Sequence, residues 1–126
     1  MGNRILLIKH EPECIRKISS YLKEAGFAVS IATNGVTGYK KAIAELPDLI
    51  ITDIILPGMD GLALCERLKT NLATQYIPII AASFKAQDYD RKAAEKAGAD
   101  VFLDCSVTIE DVVNEVNTLL HQQALV

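Results

Sequence analysis

Groups that could do chemistry recur at one kind of place in this 126-residue chain: directly after a short apolar run. The clearest instance is Asp48-Leu-Ile-Ile-Thr-Asp53-Ile-Ile-Leu-Pro57-Gly58-Met-Asp-Gly61, where an apolar run ends on Asp53 and a Pro-Gly turn follows. That order puts a carboxylate at the carboxyl end of a buried strand, the edge on which α/β sheets keep their chemistry. There it can act as a nucleophile, ligate a metal or cap a turn. Its companions must decide. Ile5-Leu-Leu-Ile8 runs into Lys9, His10 and Glu11, where a phosphate- and metal-handling site would want acids. Ile77-Pro78-Ile-Ile-Ala-Ala82 leads to Ser83, and Val101-Phe102-Leu103 leads to Asp104 and Cys105.

The elements that must position these groups follow from hydrophobic period. Strand-length apolar runs cover Ile5–Ile8, Ala28–Ala32, Leu49–Thr52, Ile79–Ala82 and Val101–Leu103. Between them lie segments of helical spacing. Ile15, Ile18 and Leu22 mark the first, stopped by Gly26; Tyr39, Ala42, Ile43 and Leu46 mark the second, which ends before Pro47. Leu64, Cys65, Leu68 and Leu72 mark the third. The fourth runs from about Asp88 to Ala97 and closes at Gly98; Val112, Val113, Val116, Leu119 and Leu120 stripe the fifth. Continuous apolar strands alternating with helices predict a parallel sheet covered on both faces. Right-handed crossovers make it a doubly wound, five-stranded α/β domain with five helices. Its crevice would open on the edge that carries the groups above.

Composition narrows the function classes. Residues 1–126 read as a single domain without internal repeats or a second-domain boundary, long enough to bury a core. A formal net charge of −3 argues against direct nucleic-acid binding as the main role. No apolar run approaches the roughly 18 residues of a membrane span, and the chain enters a strand pattern without a signal-peptide pattern. Cys14, Cys65 and Cys105 are few, odd in number and without paired spacing, so a cytoplasmic location is expected.

Four motifs in order then carry a resemblance. They are Ile5-Leu-Leu-Ile8 with Glu11-Pro12; Asp48 to Asp53 with Leu56-Pro57-Gly58-Met59-Asp60-Gly61; Ile77 to Ser83; and Ala97-Gly98-Ala99-Asp100. Over essentially its whole length the chain resembles a receiver domain of bacterial two-component response regulators. The resemblance implies a flavodoxin-like fold with strand order 2-1-3-4-5. It implies that Asp53 occupies the position that accepts a phosphoryl group from a histidine kinase. In the family a magnesium ion is held by two acids after the first strand, by the acceptor and by a backbone carbonyl, here that of Ile55. A Ser or Thr after the fourth strand, here Ser83, contacts the phosphoryl oxygens, as does a lysine after the fifth. Phe102 matches an aromatic that changes rotamer on activation, and equally a half-buried strand residue.

Here the sequence departs from the pattern. The acid pair reads Lys9 and His10, the lysine reads Cys105, and the proline after it reads Ser106. Lys9 and Asp53 already cancel in charge, so no magnesium site is expected and Lys9 becomes the counter-ion of Asp53. Alternatively Lys9 stands in for the metal and permits slow phosphorylation. Without the proline, a trans Cys105–Ser106 bond and a re-routed loop are expected. The blander readings stand beside these: His10 as a solvated loop residue, Cys14 and Cys65 as small helix hydrophobes, Ser83 as a strand-end hydroxyl.

The expected function is therefore a non-enzymatic signalling receiver, impaired in phosphorylation and working through protein contacts. A working phospho-acceptor with a modified pocket is the alternative. A flavodoxin-like flavin or nucleotide binder lacks support, because Lys9-His10-Glu11-Pro12 is no glycine-rich phosphate cradle. Partners would be a histidine kinase or an output domain, met on the face of helix four, strand five and helix five. Tyr89, Arg91, Lys92, Lys96 and Phe102 are its candidates, and the same face could pair two copies into a homodimer.

Overall fold

A computed structural model describes residues 4–83, 88–104 and 109–124. Strands β1 (Arg4–Ile8), β2 (Ala28–Ala32), β3 (Leu49–Asp53), β4 (Ile79–Ser83) and β5 (Val101–Asp104) alternate with five helices. These are α1 (Pro12–Glu24), α2 (Gly35–Glu45), α3 (Gly61–Thr70), α4 (Asp88–Lys96) and α5 (Ile109–Ala124). All strand pairs are parallel and the order is β2-β1-β3-β4-β5. The expected flavodoxin-like topology is thus observed. β3, β4 and β5 each reach one residue past the apolar run, so their ladders carry Asp53, Ser83 and Asp104.

Alternate residues of each central strand face opposite layers, as the pleat requires. Leu6, Ile8, Ile50 and Ile79 pack with Ala42 of α2 and with Leu64, Cys65 and Leu68 of α3. Ile5, Leu7, Ile51 and Ile80 pack with Leu22 of α1 and Val116 of α5. A third cluster joins Ile54, Ala81 and Phe102 to Ala94 of α4. Because both faces are covered, β1, β3 and β4 read as unbroken apolar runs.

Local signals start the helices where the chain must turn at the sheet edge. Asn34 caps α2 by accepting from the Thr37 N–H at 2.8 Å, and Asp60 caps α3 by accepting from the Ala63 N–H at 2.9 Å. Pro12 opens α1, where its missing N–H costs nothing. Two helix ends differ from the periodic reading. Leu46 is not a helical stripe residue but the left-handed C-cap of α2, with φ 47° and 53% exposed. Pro47 cannot continue the helix and pushes the residue before it out of the α region. Leu72 lies beyond α3 and is 82% exposed. The helix stops because the Asn71 side chain accepts from the Ala73 N–H at 2.8 Å, a local alternative to another helical turn.

No peptide bond among the described residues is cis. The Cys105–Ser106 bond lies outside them, as does the loop into α5.

Candidate functional site

Lys9, one residue beyond β1, is tied to the sheet by its N–H, which donates to the Ala32 carbonyl at 3.1 Å. Asp53 ends β3 opposite Ala82 of β4. Parallel pairing of β1 with β3 therefore sets the two side chains at neighbouring strand ends. They meet: the Lys9 Nζ donates to Asp53 Oδ1 in a charge-assisted hydrogen bond. The Lys9 side chain is 3% exposed and that of Asp53 18%, so the pair is largely removed from water. Lys9 makes a further interaction as well.

The backbone around Asp53 is clamped from the α3 side. The Gly61 N–H donates to the Ile54 carbonyl at 2.6 Å. A Cβ on Gly61 would stand 1.9 Å from the Asp53 carbonyl oxygen, so only glycine lets the helix start this close to the strand. The Ile54 N–H donates to the Ala82 carbonyl at 3.0 Å, which continues the ladder past Asp53. The backbone at Asp53 is therefore held from both α3 and β4.

A cavity of about 420 Å³ opens at this edge, lined by Lys9, Glu11, Cys14, Asp53, Ile55, Ala82 and Ser83. Of the residues singled out from sequence, Lys9, Glu11, Asp53, Ile55 and Ser83 thus come together. His10 is exposed and does not line the cavity. Cys105 lies outside the described residues. Ile55 is 81% exposed, an apolar side chain standing free at the mouth. Cys14, read from sequence as a helix hydrophobe, lines the cavity instead. The available signal was its place in the first turn of α1, whose start abuts the same edge. Among the described residues no three His, Cys, Asp or Glu side chains gather as a metal ligand set.

On the proposed output face, Arg91 and Lys92 of α4 and Lys96 at its end are exposed. Phe102, also a candidate of that face, is 6% exposed and packed in the α4 cluster. The Arg91 guanidinium carbon lies 5.1 Å from its ring centroid, a cation–π contact that covers the ring. The side chain of Tyr89 is outside the described set. Elsewhere, Cys65 is fully buried, and burial pushes its thiol up to about 12. It is a core residue, as its helical position suggested.

Comparison with known proteins agrees with this fold. Residues 5–117 match the family model of the response regulator receiver domain. The chain is 33% identical over 119 residues to the DNA-binding dual master transcriptional regulator RpaA of Synechocystis, covering 94% of this chain but 49% of RpaA. It therefore spans about half the length of that relative. It is 31% identical over 117 residues to Protein PilH of Pseudomonas aeruginosa, covering 93% of this chain and 97% of PilH. Its fold is similar to the crystal structure of a response regulator from Chloroflexus aurantiacus, with a TM-score of 0.91 at 26% identity. That match covers 96% of this chain and 99% of the other. No helix among the described residues is long and apolar enough to cross a membrane.

Proposed function

We propose, from the premise that this chain belongs to the response regulator receiver domain family, that it is a receiver whose acceptor aspartate is held by an internal cation. The single observation behind this reading is the ion pair between the buried Lys9 ammonium and Asp53. An aspartate that attacks phosphorus needs a free oxygen lone pair in line with the incoming group, and the added charge must be neutralised. Lys9 takes up one Asp53 oxygen and stands where the family places an acid. The residues do not fit magnesium. A hard dication seeks several oxygen ligands, and here it would find a carboxylate already engaged by an ammonium.

In this reading the pocket carries one fixed charge state instead of two that a kinase can exchange. The module is a signalling receiver and not an enzyme. Its output is contact with a histidine kinase or an output protein, for which exposed Arg91, Lys92 and Lys96 provide a basic edge on α4. With a net charge of −3, the domain leaves any DNA contact to other modules.

The test is intact-mass analysis after incubation with acetyl phosphate and magnesium. The expected outcome is no gain of a phosphoryl group on the natural sequence. A Lys9→Asp, His10→Asp, Cys105→Lys triple variant, which restores the family's charges, should gain one on Asp53. Stoichiometric phosphorylation of the natural sequence would instead establish a working acceptor with a modified pocket.

A further inference from the structure

We propose that a second cavity, also bordered by Lys9, binds a small apolar monocarboxylate of single-ring size. The cavity measures about 250 Å³ and lies between α1, α5 and the sheet. Its body is walled by Ile18, Ile51, Ile80, Leu103 and Val112. Water gains little there, since a buried water needs two to four polar partners and branched aliphatic carbons offer none. An aliphatic-lined hollow of about 150 Å³ already accepts benzene, so this one has room for a ring and a short acid arm.

The charge of the occupant follows from the polar groups. Lys9, Lys17 and Asp104 border the hollow. Lys9 is engaged by Asp53, and Asp104 is engaged in an interaction of its own. Lys17 is exposed and forms no ion pair with a described residue. One uncommitted cation beside an apolar body suits a ligand with one negative charge at one end. A cationic ligand would meet two ammonium groups, and a dianion would face Asp104.

The location gives such binding a consequence. Lys9, Cys14 and Ala82 line both this hollow and the Asp53 cavity, so these residues are shared walls. An occupant packs against Lys9 from a hollow that Asp53 does not line. A small molecule is thereby a chemical input to the pocket that needs no phosphoryl transfer. The site does not depend on whether Asp53 can be phosphorylated, so the two readings stand or fall separately.

The experiment is an amide NMR titration of the full chain with phenylacetate and with its neutral analogue phenylacetamide. Phenylacetate should give saturable shifts centred on Ile18, Leu103 and Val112. The neutral analogue, and phenylacetate with Lys17→Glu, should bind about fivefold more weakly, the share of a solvent-facing ion pair. Val112→Phe, or Ile18→Phe if the first variant unfolds, should abolish the shifts by filling the hollow. In the natural sequence, phenylacetate should slow iodoacetamide alkylation of Cys14. Shifts that never saturate overturn the proposal, as do shifts that survive a filled hollow. Equal binding of the neutral analogue overturns it too.

Discussion

Removing either member of the Lys9–Asp53 pair should cost unequally, and the inequality follows from exposure. The Lys9 side chain is 3% exposed, whereas Asp53 is 18% exposed at the mouth of a cavity of about 420 Å³. Asp53→Asn takes the carboxylate from an ammonium that water hardly reaches and that keeps only its other interaction, a loss of about 3 kcal/mol. Lys9→Met keeps the buried aliphatic stem and leaves a carboxylate that the cavity can hydrate. That loss is about 1–2 kcal/mol. With both charges gone neither one faces the other's absence, so Lys9→Met with Asp53→Asn should lie within about 1 kcal/mol of the natural protein. The coupling energy is then about 3–5 kcal/mol, at or above the upper end for groups in contact. Urea unfolding of the four proteins at neutral pH measures it. Additivity within about 0.5 kcal/mol would refute the counter-ion role. A milder loss for Asp53→Asn than for Lys9→Met would refute the burial argument even if coupling were found.

Other outcomes follow from the same geometry. Millimolar magnesium should leave the Asp53 and Ile55 amides unshifted in an NMR titration, and saturable shifts centred on them would overturn the misfit of the metal. Gly61→Ala should destabilise by about 3 kcal/mol in urea unfolding, because its Cβ would meet the Asp53 carbonyl oxygen at 1.9 Å and backbone cannot yield as a side chain does. Cys65 should resist alkylation in the folded protein at mildly alkaline pH, read by peptide mapping, while partly exposed Cys14 reacts. Its raised value, from 9.0 to about 12, also sets a pH dependence. The contribution is fully present below pH 9, where the thiol is protonated in both states, and is lost as pH rises toward 12. Relative to Cys65→Ala, stability should therefore fall by about 1.4 kcal/mol per pH unit above pH 9.

Period and punctuation in the chain were enough for the architecture. Apolar runs of strand length between helical stripes determine a covered parallel sheet, because every strand buried on both faces must be apolar throughout. They also determine which residues stand at the carboxyl edge, so Lys9, Asp53 and Ser83 were legible as neighbours before any coordinates. The residue types at Lys9, His10 and Cys105 are likewise facts of sequence. What sequence periodicity lacks is depth. Leu72 fits a helical stripe as well as Leu68 does, yet Asn71 turns the chain and leaves it 82% exposed. Phe102 reads from sequence as a half-buried strand aromatic, yet α4 closes over it and Arg91 covers the ring, so that only 6% is exposed. His10 and Lys9 are adjacent in sequence, yet one faces solvent and the other is buried against Asp53. Alternation along an extended chain sends neighbours to opposite sides, and only the packed layers decide which side is water. The same layers decide that Lys9 borders two cavities, because a void belongs to the gap between packed elements and to no single residue.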